Sequence, residues 1–368
     1  MRVLILSAST GAGHNQAANN LKNEFLKNNA QVEIIDLFKS TSNIFNSIIT
    51  DSYEILATRI PKVYGYFYNM VDKKEFNKYL LKKAFFVVEK RLKRILKNSS
   101  PDIVISTHPF GVAVICSLKD KKEIDIPFIQ IVTDFKAHYS YVDDKVDAYI
   151  TASDYTKDSL IEKGVDSNKI YAYGIPTKEE FRDSSEKKLK EFNEFNILIM
   201  GGSMGLSPMK DCLKILLESD LNIKITLICG NNNKLYNELN LKFNDYICGS
   251  KLKVLGFVNN VHEIMEKSDI IITKPGGLTT TEAINKTIPM VIPFAIPGQE
   301  EENTRFMVDN NMAIEVTDVN LLPKYIEELM KNPNKYNEMV SNMKVLSSTY
   351  SVTGIVDVAM KLLEKNGE

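Results

Sequence analysis

The chain has 368 residues, 44% of them hydrophobic and 25% charged, and a formal net charge of −1. That length exceeds one ordinary domain and suits two. The composition is that of a soluble globular protein, and the neutral balance argues neither for nor against a polyanionic partner. No stretch reaches the ~18 uncharged apolar residues of a membrane span. The four cysteines, Cys116, Cys212, Cys229 and Cys248, lack CxxC or metal-like spacing and read as reduced thiols of a cytosolic protein.

Strand and helix patterns alternate along the chain, which predicts an α/β protein with parallel sheets. Residues 3–6 form an apolar run, too short for a signal peptide, that leads into the Gly-rich turn Ser7-Ala-Ser-Thr-Gly-Ala-Gly-His14. A helix follows over 15–29 and a strand over 32–35. A helical insert over 43–97 interrupts the alternation, which resumes at 103–106 and ends in Thr107-His108-Pro109. Strands at 128–132, ending in Thr133-Asp134-Phe135, at 148–151 and at 169–172 complete a first domain, residues 1–176.

Residues 177–193 are charged and read as a linker. A second domain, 194–350, restarts with a strand at 197–200 and the turn Gly201-Gly-Ser-Met-Gly205. Further strands follow at 224–229, 253–255, 270–273 and 290–292. The one at 270–273 runs into Lys274-Pro-Gly-Gly277 and a helix that opens with Thr279, Thr280, Thr281 and Glu282. The strand at 290–292 runs into a loop carrying Gln299 and Glu300. A last helix over 352–365, within a tail 351–368, is a candidate for crossing back onto the first domain. Two doubly wound, Rossmann-like domains joined by a linker describe the GT-B architecture, in which they face a cleft.

The insert is distinctive in charge. From Lys62 to Lys97 there are eleven Lys/Arg against three acids, and eight aromatics lie between Tyr64 and Phe86. An apolar stripe (Phe76, Leu80, Ala84, Val88, Leu92, Ile95) fits a helix packed on its own domain. The stretch before it, with Tyr64, Tyr66, Phe67 and Tyr68, and the basic Lys82 and Lys83, suits docking to an anionic membrane surface, at about 1 kcal/mol per Lys or Arg. No nucleic-acid-binding motif accompanies it, so nucleic acid is not an expected partner.

Three Gly-rich turns, at 11–13, 201–205 and 276–277, each follow a strand and precede a helix. Backbone N–H groups at such a helix start stabilise an anion such as a phosphate. A bare strand-to-helix turn is the alternative reading of each. A P-loop is excluded by the lack of a Lys-Ser pair, and GxGxxG is absent. Glu282 sits too close to that anion to serve it and suits the hydroxyls of a ribose. Phosphate, diol and polar loop together suggest a nucleotide-sugar. His14 stands at a helix start, which disfavours imidazolium and keeps the ring a proton acceptor. His108 and Asp134 stand at two further strand ends, as candidate acid–base groups or as turn residues. His262 falls in an ordinary helix. The histidine spacing provides no zinc site and no Asp-x-Asp motif ends a strand, so neither metal nor other cofactor is expected.

Leu6-Ser-Ala-Ser-Thr-Gly-Ala-Gly-His14, Val132-Thr-Asp-Phe-Lys-Ala-His138, Tyr173-Gly-Ile-Pro176, Gly201-Gly-Ser-Met-Gly205, Lys274-Pro-Gly-Gly-Leu-Thr-Thr-Thr-Glu-Ala283 and Pro297-Gly-Gln-Glu-Glu-Glu-Asn303 together resemble the motifs of the monogalactosyldiacylglycerol synthase and processive diacylglycerol glucosyltransferase family. Single pieces also occur in the related peptidoglycan N-acetylglucosaminyltransferase. Ala12 stands where the family usually has glycine, and Tyr141 lies where a tryptophan is common. The resemblance implies an inverting, metal-independent GT-B glycosyltransferase that moves glucose or galactose from a UDP-hexose to diacylglycerol, attached peripherally to the cytoplasmic face of the membrane. It implies His14 as the base, with Asp134 or His108 as sharers of that role. Glu282 would hold the ribose. Gly277, Leu278 and Thr279 would hold the diphosphate with Ser203 opposite, and Phe257 and Val258 would meet the uracil. Gln299 and Glu300 would hold sugar hydroxyls. Gly13, Gly202, Met204, Lys274 and Gly276 complete the donor-binding set. A UDP-GlcNAc transferase acting on a polyprenyl-linked wall precursor and a UDP-sugar epimerase of the same fold are the alternatives.

Overall fold

The computed structural model describes residues 1–9, 12–38, 86–182, 194–201 and 208–367. Gly202, Ser203 and Met204, the membrane candidates Tyr64, Tyr66, Phe67, Tyr68, Lys82 and Lys83, and most of the expected insert therefore lie outside the described residues. Twelve described strands form two six-stranded sheets. The strands of the first are β1 (Arg2–Ser7), β2 (Gln31–Asp36), β3 (Ile103–Ser106), β4 (Phe128–Ile131), β5 (Ala148–Ile150) and β6 (Ile170–Tyr171). Those of the second are β7 (Phe195–Met200), β8 (Ile223–Ile228), β9 (Leu252–Leu255), β10 (Ile270–Ile272), β11 (Met290–Ile292) and β12 (Ala313–Glu315). The described helices, in chain order, are α1 (Ala12–Lys27), α2 (Phe86–Ser99), α3 (Pro109–Asp120), α4 (Asp154–Glu162), α5 (Glu179–Arg182), α6 (Pro208–Leu217), α7 (Asn233–Lys242), α8 (Asn244–Cys248), α9 (Val261–Lys267), α10 (Gly277–Asn285), α11 (Gln299–Asp309), α12 (Leu322–Lys331), α13 (Pro333–Ser347) and α14 (Val352–Gly367).

Every strand pairing is parallel. The orders are β2-β1-β3-β4-β5-β6 and β12-β11-β10-β7-β8-β9. Each is doubly wound, so the chain reverses its direction of travel once per sheet: between β1 and β3 in the first, between β7 and β10 in the second. In open α/β sheets ligands bind outside the carboxyl ends of strands at that reversal.

The chain divides into two compact units. The first comprises Met1–Lys178, Ile296–Glu302 and Thr349–Glu368, and the second comprises Glu179–Ala295 and Asn303–Ser348. Parallel strands are covered on both faces, which is why the strand segments read as near-continuous apolar runs. Along β1 the side chains alternate: Val3 and Ile5 pack with Leu21, Phe25, Ile355 and Val356, while Leu4 and Leu6 pack with Val88, Leu92 and Ile115. The last helix, α14, thus closes one face of the first unit against α1. The second unit has its own core around Phe195, Ile197, Leu213, Leu216, Ile326 and Met339.

One local expectation holds and two change. The stripe of α2 is buried through Val88, Leu92 and Leu96, with Ile95 only partly covered, so the helix packs on its own unit and exposes Lys90, Arg91, Lys93, Arg94 and Lys97. The segment read as linker already contributes to a core at its start. Thr177 is buried, and Phe181 on α5 is buried beside His262, the ring centroids 5.9 Å apart. A single aromatic inside a charged run suffices to dock a short helix. Finally, Gln299 and Glu300 open a helix rather than sit in a loop. Gly298, at φ +91°, turns the chain, and Glu300 and Glu301 accept the N–H groups of Ile296 and Gly298 at 2.9 Å each. Three acids in that first turn suit the positive end of the helix.

Candidate functional site

In the first unit, α1 begins at Ala12, which puts His14 inside its first turn and at the carboxyl end of β1. β3 ends beside it, and Thr107 and His108 follow. The Thr107 carbonyl lies 2.8 Å from His14 Nδ1. A carbonyl only accepts, so Nδ1 carries the proton and Nε2 presents a lone pair. Among the described residues Nε2 makes no hydrogen bond, and the ring is only half-buried. Burial lowers the pKa of His14, and the Thr107 carbonyl partly opposes that. The ring is therefore neutral near pH 7 and able to take a proton at Nε2.

His108 has the opposite tautomer. It caps α3, its Nδ1 accepting the Phe110 N–H at 3.1 Å. Its proton therefore sits on Nε2, and neither nitrogen of the neutral ring is open to accept another. Burial, and then the neighbouring His14 and His138, push its pKa well below the usual imidazole value. The ring packs edge-on to His14, centroids 4.6 Å apart. The geometry gives His108 a capping and packing place, not that of a base.

Asp134 follows β4 and is 3% exposed. It accepts the Tyr141 hydroxyl at 2.9 Å and the Gln299 side-chain amide. Burial raises its carboxyl to about 6, a shift opposed by those two donors and reinforced by nearby Glu300. Both oxygens are occupied, so His14 is the more open acceptor. Thr133 Oγ1 lies 3.1 Å from His14 Nδ1 and 3.3 Å from the Tyr141 hydroxyl. Thr107, Thr133 and Tyr141 are thus site residues that the strand-end pattern did not single out for a role. Their signal was weak: a threonine directly before each of His108 and Asp134.

In the second unit, Thr273 follows β10 and the turn continues to Gly277. Gly276 is the N-cap of α10, and no side chain caps the helix. The ladder opens with Thr280 N–H to Gly276 O at 2.9 Å. The N–H groups of Gly277, Leu278 and Thr279 precede it and point out of the helix start, as the first amides of any helix do. Asn303 ties the turn from behind, its amide donating to Pro275 O at 2.8 Å. Thr280 Oγ1 is buried with no hydrogen-bond partner among the described residues. Glu282 lies further along α10, half-buried. Lys274 is half-buried in the same turn, and Phe257, after β9, is 63% exposed with Val258 half-buried beside it. Gly201 follows β7, the other strand of the reversal, and residues 202–207 lie outside the described residues.

Gln299 and Glu300 open α11. They belong to the first unit, where Gln299 meets Asp134, and Glu300, 5% exposed, is spent on the Ile296 N–H. Gly13 precedes His14 in the first turn of α1. No group of three or more His, Cys, Asp or Glu able to hold a metal occurs among the described residues.

Comparison with known proteins gives the family and the fold. Residues 14–177 match the profile of monogalactosyldiacylglycerol (MGDG) synthase, and residues 196–352 that of the glycosyltransferase family 28 C-terminal domain. MurG of Acinetobacter baumannii superposes with a TM-score of 0.68 at 16% identity, covering 98% of this chain and 100% of that one. The Anabaena protein Alr3699/HepE, solved in complex with UDP-glucose, superposes at 0.58 and 13% identity over 99% and 100%. The fold is that of the GT-B glycosyltransferases. The processive diacylglycerol beta-glucosyltransferase of Bacillus licheniformis is 31% identical over 375 residues, 99% of this chain and 96% of that protein. The chain belongs to the family of monogalactosyldiacylglycerol synthases and processive diacylglycerol beta-glucosyltransferases, and it is a hexosyltransferase.

Proposed function

We propose that this protein transfers glucose from UDP-glucose to the hydroxyl of diacylglycerol with inversion, without a metal, at a membrane surface. The observation that carries the chemistry is the His14 tautomer: Nδ1–H is held by the Thr107 carbonyl, so Nε2 is the acceptor. His14 Nε2 takes the proton of the acceptor hydroxyl as its oxygen attacks the anomeric carbon. The bond from that carbon to the UDP oxygen breaks on the opposite face, and UDP leaves with the electron pair. General-base assistance of this kind contributes about 10²–10⁴-fold.

The amides of Gly277, Leu278 and Thr279 bear the developing diphosphate charge, which is why no metal is needed. Glu282 accepts the ribose hydroxyls. Lys274 and Gly276 shape the same turn, and the backbone of Phe257 and Val258 meets the base. Glucose is favoured over galactose by the name of the 31%-identical relative. Exposed cations on α2, with the basic and aromatic residues that precede it in sequence, supply attraction to anionic lipid on the cytoplasmic face. Among the described residues no helix is long and apolar enough to cross a membrane.

The test is product analysis by thin-layer chromatography, with labelled UDP-glucose and UDP-galactose offered separately with diacylglycerol in detergent and EDTA. Glucosyl-diacylglycerol made from UDP-glucose is the expected product. Glu282→Ala should weaken UDP binding at least tenfold, and His14→Ala should lose about 10²-fold or more in kcat. A His14→Ala enzyme with unaltered turnover removes His14 as base. Loss of all activity in EDTA removes the metal-free assignment.

A further inference from the structure

His14 and Asp134 do not touch, yet they are joined. We propose that Thr133 and Tyr141 are positioning residues that couple the base His14 to the buried Asp134 carboxylate through a hydrogen-bond chain with one fixed direction. The inference rests on the reading of His14 as the base.

The direction follows from counting protons. Asp134 Oδ2 accepts, so the single hydroxyl proton of Tyr141 is spent on it at 2.9 Å. Toward Thr133, 3.3 Å away, the Tyr141 oxygen has only lone pairs to offer. Thr133 therefore donates toward Tyr141, the nearer of its two acceptors, with the Thr107 carbonyl at 3.5 Å as the longer second one. Its own oxygen is then left to accept, and what faces it is His14 Nδ1 at 3.1 Å. That nitrogen is the protonated one, because the Thr107 carbonyl stands 2.8 Å from it. The Nδ1–H is shared between Thr107 O and Thr133 Oγ1. Every donor in the chain points toward Asp134.

The chain is buried where it matters. Tyr141 is fully buried, Thr133 is 6% exposed and Asp134 is 3% exposed. Water is excluded from the links, and dipoles aligned in a low-dielectric interior reinforce one another. When Nε2 takes a proton, the imidazolium forms at one end of an oriented row of dipoles whose other end is a carboxylate. No proton moves along the row; it stabilises the cation and holds the tautomer that makes Nε2 the base. Direct contact would do this more strongly but would also raise the basicity of His14 in the resting enzyme. The surrounding titratable groups are His108, edge-on to His14, His138, whose ring lies 4.5 Å from that of Tyr141, and Glu300 beside Asp134. His138 is held neutral, mainly by burial, with a pKa of about 3, and His108 is also neutral near pH 7. Asp134, which titrates near 6, is the member whose charge changes over the working range.

The test compares wild type with Tyr141→Phe, using UDP-glucose and diacylglycerol in detergent across pH. The phenylalanine keeps the ring and cuts the chain. At about pH 8, where Asp134 is ionised, kcat should fall ten- to a hundredfold, with KM for UDP-glucose within about twofold of wild type. At about pH 5, where Asp134 is protonated in both enzymes, the gap should close to within about threefold. A packing defect would lower activity equally at both pH values. Adding Asp134→Asn to Tyr141→Phe should cost little more than either change alone, since groups that act as a unit are non-additive. Thr133→Val should mimic Tyr141→Phe, and Thr133→Ser, which keeps the hydroxyl, should recover most of the loss; this pair decides the matter if Tyr141→Phe does not fold. An inactive His14→Ala enzyme beside a Tyr141→Phe enzyme with wild-type kcat at both pH values overturns the coupling alone. A fully active His14→Ala enzyme overturns the base assignment and the coupling with it.

Discussion

Asp134 is where the site costs stability. Its carboxyl titrates near 6 in the folded protein against the usual 3.8, because burial disfavours the charged form. The folded state then holds its proton more tightly than the unfolded chain does. Stability is therefore greatest below the usual carboxylate range and is lost as pH rises through about 4 to 6. A shift of that size corresponds to at most ~3 kcal/mol at neutral pH. Asp134→Asn removes the buried charge and should raise Tm at about pH 7.5 by several degrees, the gain shrinking toward pH 5, while turnover falls. Thermal melts of both proteins across pH check this, and a lower Tm for the asparagine variant at neutral pH would refute it. The position of Asp134 at a strand end is visible in the amino-acid order. Its burial is not, because the residues that cover it, Tyr141 and Gln299, lie seven and 165 positions away.

At the level of the element, α10 was the most legible part of the molecule. An apolar strand, two glycines and a run of threonines mark a helix start with bare amides, and β10 and α10 have that form. One detail was hidden: the Thr280 hydroxyl is buried without a hydrogen-bond partner among the described residues. Burying such a group costs about 1–3 kcal/mol. Thr280→Val, which keeps the branch and drops the hydroxyl, should stabilise the ligand-free protein by about 1 kcal/mol in urea unfolding; a loss of stability would show that the hydroxyl is satisfied. The start of α11 was the converse case. Proline and glycine around 297–298 resemble a loop, but the acids behind them hold the preceding amides and begin a helix. Gly174 shows a further constraint that local pattern does not display. It has φ +82°, and a Cβ there would lie 2.6 Å from the Tyr350 ring.

At the level of the whole molecule, each unit has its own core, and neither is contiguous in the chain. Val352, Ile355, Val356, Val358 and Ala359 of α14 pack with Leu21 and Phe25 of α1, and the backbone joins at Ser351 N–H to Tyr173 O. Burial of the larger of these side chains is worth about 1.5–3 kcal/mol each, which together rivals the 5–15 kcal/mol that stabilises an ordinary protein. Truncation after Ser348 should therefore abolish cooperative unfolding of the first unit, as seen by calorimetry, while the second unit's core, which excludes α14, keeps a transition. A truncated protein with both transitions intact would show that α14 is dispensable.

Amino-acid order alone determined the α/β class, the strand–turn–helix positions that carry the uncapped helix start at Gly277 and His14, and the family. These depend on periodicity and on glycine at strand ends, which are local. Tertiary structure decided the rest. The carbonyl of Thr107, 93 residues from His14, selects its tautomer; Tyr141 and Thr133 join it to Asp134; and Gln299 meets Asp134 across 165 residues of sequence. Hydrogen-bond direction and burial depend on which distant segments the sheet order brings together, and no local pattern encodes that.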